Sequence, residues 1–138
     1  VLDDFAGTGA LGLEALSQGA KHAEFIEQDP AAARLCQSNI DLLRETEQAL
    51  VLKCDACRMA PRPTALEPRS LVFLDPPYGE HKGAVALNRL AEQGWLHERA
   101  ICVLEMSKKA PEATPTGFTV VDERCYGIAK IQFLIRAP

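Results

Sequence analysis

A short apolar run, Val1 to Phe5, leads directly into Gly7-Thr8-Gly9-Ala10-Leu11-Gly12, and Ala10 to Ser17 then carries helical spacing. A glycine turn joining a strand to a helix restricts the possible folds, because it belongs to a unit in which the next strand returns parallel to the first. The glycines let the backbone turn tightly and approach a ligand closely, and the helix start offers free N–H groups with partial positive charge.

The same rhythm continues along the chain. Gly19 ends the first helix, and His22 to Ile26 reads as the second strand. Pro30 suits the first turn of a helix capped by Asp29, with Ala32, Leu35, Cys36, Asn39, Ile40 and Leu43 expected on its sheet-facing side. Leu50 to Cys54 is a third strand; Pro61, Pro63 and Pro68 restrict the next stretch to loop or short helix before a fourth strand, Ser70 to Leu74. Val85 to Glu92 reads as a helix stopped by Gly94, and Ala100 to Glu105 as an interior strand. Gly117 to Cys125 and Ile128 to Ile135 leave no room for a crossover helix and form a hairpin. The expected architecture is a single α/β domain whose mostly parallel sheet ends in an antiparallel hairpin.

Composition sets outer bounds. At 138 residues, 47% hydrophobic and 25% charged, the chain suits one folded domain. No apolar run approaches the roughly 20 residues of a membrane helix, and five scattered cysteines suit a reducing cytoplasm. A net charge of −4 makes any nucleic-acid contact local, with Lys82, Arg89, Lys108, Lys109, Arg124 and Lys130 as candidates. Cys54 and Cys57 have ligand spacing, but no second pair completes a zinc site, so no metal is expected.

Glu27 stands twenty residues after Gly7, which by spacing alone is a dinucleotide fingerprint. Asp3, just before the glycine loop, favours a different ligand. A carboxylate is awkward beside a pyrophosphate, whereas it suits S-adenosylmethionine, which carries an ammonium group and a sulfonium. Turn capping remains open for Asp3. Glu27 offers acceptors to the two ribose hydroxyls, Asp55 one to an adenine amino group, and Ala56 a flat apolar wall, with an ordinary loop aspartate open as the other reading of Asp55.

Leu74-Asp75-Pro76-Pro77-Tyr78 succeeds the fourth strand and therefore opens at the same sheet edge. The lone pair of an exocyclic base amine is delocalised into the ring. Asp75 and the Pro76 carbonyl, held by rigid prolines, are suited to accept its two N–H bonds and aim the lone pair at a methyl group. Tyr78 supplies a face on which a flipped base can stack.

Together, the segments Val1 to Leu16, Phe25 to Asp29, Phe73 to Tyr78 and Arg124 to Ala129 resemble the RsmD family of bacterial methyltransferases, which methylate N2 of a guanine in 16S ribosomal RNA. The resemblance implies a Rossmann-like class I S-adenosylmethionine-dependent methyltransferase fold. It implies S-adenosyl-L-methionine contacts at Asp3, Phe5, Ala6, Gly7, Thr8, Gly9, Glu27, Gln28, Asp55 and Ala56, and catalytic contacts at Asp75, Pro76, Pro77 and Tyr78. Ribosomal RNA or a small-subunit assembly particle is the implied partner, met by a cytoplasmic monomer.

Two departures accompany it: Asp4 stands where the family usually has an apolar residue, and the sequence starts at the first core strand without the basic hairpin and helix that usually precede it. The readings that remain beside it are a DNA or other RNA amino-methyltransferase, a glutamine-modifying enzyme, a dinucleotide oxidoreductase and a silent S-adenosylmethionine-binding fragment.

Overall fold

The alternation of apolar runs and helical stretches yields one seven-stranded sheet in the computed structural model, which describes residues 1–138. In chain order the elements are β1 (Leu2–Asp4), α1 (Ala10–Ser17), β2 (Ala23–Ile26), α2 (Pro30–Leu42), β3 (Ala49–Leu52), a 3-10 turn (Ala56–Arg58), β4 (Arg69–Leu74), α3 (Lys82–Glu92), β5 (Leu96–Ser107), β6 (Phe118–Tyr126) and β7 (Ala129–Arg136). The strand order is β3-β2-β1-β4-β5-β7-β6. The pairs among β1 to β5 are parallel, while β7 is antiparallel to both β5 and β6. The expected mostly parallel sheet with a terminal hairpin is therefore observed.

Side-chain alternation along the strands builds a core on each face. Leu2, Ile26, Val72, Leu74, Cys102 and Leu104 pack with Ala86, Leu87 and Leu90 of α3. On the other face Ala23 and Phe25 pack with Leu13 and Leu16 of α1 and Cys36 and Ile40 of α2. At the start of β4, Arg69 Nη2 donates to Glu24 Oε2 of β2 at 2.7 Å, a buried clamp at the sheet end away from the glycine loop.

Several boundaries differ from the sequence expectation. β1 ends at Asp4 because Phe5 takes φ 59, a left-handed conformation that leaves the strand. α3 begins at Lys82 rather than Val85, with Glu112 Oε1 accepting the Ala84 N–H at 3.0 Å and satisfying one free donor of its first turn. β5 starts at Leu96, whose buried side chain draws the charged stretch His97 to Arg99 into the strand despite a register irregularity. α2 buries Ala33, Cys36 and Ile40, and Asp29 caps it by accepting the Ala32 N–H at 2.9 Å. Leu35 and Leu43, expected against the sheet, are 49% and 57% exposed; the true contact stripe takes the four-residue step from Cys36 to Ile40, and Leu35 lies one residue to its side.

Candidate active site

Strand register decides what meets at the carboxyl edge. β1 and β4 are parallel neighbours with Asp4 opposite Leu74, so the loop beginning at Phe5 and the loop beginning at Asp75 leave the sheet side by side. A cavity of about 280 Å3 lies at this edge. Its walls include Phe5, Glu27, Gln28, Asp55 and Ala56 from the first three strand ends, and Asp75, Pro76 and Pro77 from the fourth. This is the crevice position at which open α/β sheets take ligands.

The glycine loop is fastened from behind. Asp3 Oδ2 accepts the Gly12 N–H at 2.9 Å, and Glu27 Oε1 accepts the Gly7 N–H at 2.8 Å while its Oε2 accepts that of Asp29 at 2.9 Å. Ala6 N–H donates to the Ile26 carbonyl at 3.0 Å, and Asn39 Nδ2 donates to the Thr8 carbonyl at 2.9 Å. Gly12 is required by contact: a Cβ there would sit 2.4 Å from the Phe25 ring. At Gly9, with φ 83, a Cβ would stand 2.7 Å from Cys36 Sγ.

Asp3 is buried, 2% exposed, and stands behind the loop rather than on the cavity wall. Burial, with the nearby charges of Asp75 and Glu27, pushes its carboxyl up to about 7 against the lowering effect of the Gly12 bond. Gly7, Thr8 and Gly9 likewise shape the turn, while Glu27 and Gln28 reach the cavity. Each Glu27 oxygen keeps acceptor capacity after its one backbone bond.

Asp55 caps the 3-10 turn, its Oδ1 accepting the Cys57 N–H at 2.9 Å. Ala56 is buried beneath the cavity, and Phe5 and Pro77 add flat apolar wall. The sequence expectation did not include Cys54 or Lys82 on this wall, yet both line it. These groups fit an adenosine-bearing ligand: a carboxylate with spare acceptors for a ribose diol, a second for an amino group, and flat surfaces between them.

On the other side stand Asp75, Pro76, Pro77 and Tyr78. Pro76 is buried, which fixes the backbone at its carbonyl, and Asp75 is exposed at the mouth. Tyr78 is 42% exposed, and its hydroxyl donates to Glu105 Oε2 at 2.7 Å. That bond pushes the Tyr78 phenol up to about 12. Partial loss of water, then the charge of Glu105 and a hydrogen bond shared with it, pushes the Asp75 carboxyl up to about 6. Glu105 thus joins the site from β5. Its place closing the fifth strand expected from the sequence suggests a rim of the substrate cleft, while its partners depend on the β4–β5 register, with Leu74 opposite Leu104.

Asp4 is the local anomaly. It is 0% exposed, neither carboxyl oxygen has a hydrogen-bond partner, and burial followed by the charges of Asp3 and Asp55 raises it well above the usual carboxylate range. Asp4 therefore lies in the core, where burial disfavours its charged form.

The family model described as Conserved hypothetical protein 95 matches residues 1–135. A relative named Ribosomal RNA small subunit methyltransferase D from Haemophilus influenzae is 36% identical over 128 residues, covering 92% of this chain and 66% of its own length. The Escherichia coli K12 protein of the same name is 36% identical over 104 residues, 75% of this chain and 51% of its own. The chain thus spans between half and two thirds of these two relatives. The crystal structure of Haemophilus influenzae HI0767 superposes with a TM-score of 0.86 at 34% identity, covering 99% of this chain and 86% of that one. The fold also matches, at a TM-score of 0.70 and 15% identity, magnesium protoporphyrin IX methyltransferase of Synechocystis with bound SAM. With a family model spanning nearly every residue and a class I methyltransferase fold beneath it, this chain belongs to the Conserved hypothetical protein 95 family, the RsmD family of methyltransferases.

Proposed function

We propose that this chain carries the catalytic site of an S-adenosylmethionine-dependent methyltransferase acting on the N2 amino group of a guanine in 16S ribosomal RNA. The observation that carries the reading is the juxtaposition of the two loops: the Phe5 and Glu27 side of the cavity meets the Asp75 and Pro76 side across one crevice. The names of the Haemophilus and Escherichia relatives support ribosomal RNA of the small subunit as the substrate, in keeping with a cytoplasmic enzyme. No helix is long and apolar enough to cross a membrane.

When bound, S-adenosylmethionine supplies an electrophilic methyl group on a sulfonium. The residues on the Glu27 side hold it: Glu27 takes the ribose hydroxyls, Asp55 the adenine amino group, and Phe5, Ala56 and Pro77 the adenine faces. Gln28 closes the ribose side, and Asp3, Ala6, Gly7, Thr8 and Gly9 keep the turn in shape. On the opposite side, Asp75 and the Pro76 carbonyl accept the two N–H bonds of the amine, and Pro77 stiffens the turn. With its carboxyl near 6, Asp75 is ionised and accepting at neutral pH, and it can receive the proton that the amine sheds. Tyr78 offers its ring as the stacking face for the flipped base. Orientation supplies most of the acceleration.

The test is methyl transfer from labelled S-adenosylmethionine to 30S subunits taken from cells lacking their own enzyme of this family, with nucleoside mass spectrometry as the readout. N2-methylguanosine at a single position is the expected product. Methylated adenine or cytosine, or methylation of DNA alone, points to the other amino-methyltransferase readings; cofactor binding without any transfer points to a silent binding fragment.

A further inference from the structure

We propose that Glu105 reads the ring N1–H of the target guanine and thereby sets the base specificity of the site. The inference rests on the proposed guanine chemistry and deepens it by naming the residue that excludes other bases.

Glu105 comes directly after Leu104 of β5, which is paired with Leu74 of β4, so Glu105 lies on β5 beside the point where β4 ends and Asp75 follows. No lysine, arginine or histidine forms an ion pair with either carboxylate. Two such groups side by side repel when both are ionised. The Tyr78 hydroxyl donates to Glu105 Oε2, which ties the carboxylate to the tyrosine and leaves Oε1 without an N–H donor.

The chemistry of the bases then discriminates. The guanine amine on carbon 2 is flanked by N1–H, a donor, so its edge presents donors next to one another. The amines of adenine and cytosine are flanked by bare ring nitrogens, which are acceptors. An acceptor pair matches the first edge and repels the second. With Asp75 engaged on the amine, Glu105 is the neighbouring acceptor for N1–H, and a site built to pair a substrate N–H rejects analogues lacking it because its own acceptor is left unpaired. The same pairing relieves the repulsion between the two carboxylates, so the match is strongest for guanine.

The experiment uses 30S subunits reconstituted from ligated 16S rRNA carrying, at the mapped nucleotide, either guanosine or 2-aminopurine riboside. The latter keeps the amine on carbon 2 but has an accepting N1. The wild type is expected to favour guanosine by about 100-fold in kcat/KM. Glu105→Gln, whose amide can donate to a bare N1, should narrow this to below about tenfold, with S-adenosylhomocysteine affinity held within about twofold as the control for folding. Tyr78→Phe, which removes the bond that orients the Glu105 carboxylate, should also narrow the preference. An unchanged preference in Glu105→Gln, or a wild type indifferent to the analogue, overturns the proposal and leaves the methyltransferase reading standing. A wild type that methylates neither RNA sinks that reading and this one with it.

Discussion

The two sides of the crevice handle negative charge in opposite ways. On the cofactor side Asp3, Glu27 and Asp55 each accept at least one backbone N–H, from Gly12, from Gly7 and Asp29, and from Cys57. Those carboxylates hold the chain in shape before any ligand arrives. On the acceptor side Asp75 and Glu105 lie close together, a tyrosine hydroxyl donates to Glu105, and neither carboxylate takes a backbone donor. The first arrangement is satisfied in advance; the second awaits donors that a base can bring. A preformed cofactor pocket beside an acceptor pair of high charge density is suited to ordered use, with orientation fixed on one side and discrimination on the other.

The largest expected effect on this contrast comes from removing Asp75. Asp75→Ala should lower kcat by at least about 100-fold, the scale of losing one preorganised transition-state contact. Single-turnover assays on 30S subunits check it; near-normal turnover would show that the two sides do not divide the work as described. Breaking the other side, Gly12→Ala places a Cβ 2.4 Å from the Phe25 ring and displaces the N–H that Asp3 accepts. We expect a loss of about 1–3 kcal/mol from overpacking, read by urea unfolding.

Asp4 gives an effect of opposite sign. Replacing a buried acid whose oxygens lack partners by Leu, which suits the apolar surroundings of Leu2 and Leu74, should stabilise the protein by about 1–3 kcal/mol. The folded-state carboxyl is raised, so its cost is absent below about pH 4, where the acid is neutral in both states, and grows as the unfolded chain ionises at higher pH. The wild type should therefore lose stability as pH rises from about 4, with Asp3 adding to the slope up to its value of about 7, and Asp4→Leu should flatten the curve. A slope unchanged by Asp4→Leu would remove this account.

The smallest expected effect is in the pH profile of transfer. Turnover should fall as pH drops through about 6, where Asp75 gains a proton and ceases to accept from the amine. Burial is the largest cause of that rise and Glu105 adds to it, so Glu105→Gln should move the acidic limb to lower pH without restoring the ordinary carboxylate value.

Local chemistry made much of this legible in the sequence. The glycine spacing, the aspartate cap at Asp29 and the Tyr126-Gly127 turn each act over a few residues, and the corresponding elements form. The shared edge of the Gly7 and Asp75 loops is a consequence of strand alternation. Partners that depend on register, and burial that depends on depth, were not legible. Glu105 becomes part of the site only because β4 and β5 align Leu74 with Leu104, and Asp4 is buried only because α3 and the Ala56 turn cover that face of β1. Nor does helical periodicity alone tell Cys36 from Leu35, since both lie near one stripe and the contact with Gly9 and Phe25 selects between them.

Titration calorimetry on the wild type, Glu27→Ala and Asp75→Ala, with S-adenosylhomocysteine and with NAD as injectants, tests the division of labour most directly. The wild type and Asp75→Ala should bind S-adenosylhomocysteine with affinities within about twofold and ignore NAD, while Glu27→Ala, having lost the groups that hold Gly7 and Asp29, should bind about 10- to 100-fold more weakly. Tight binding of NAD, or equal loss of S-adenosylhomocysteine in both variants, would contradict it.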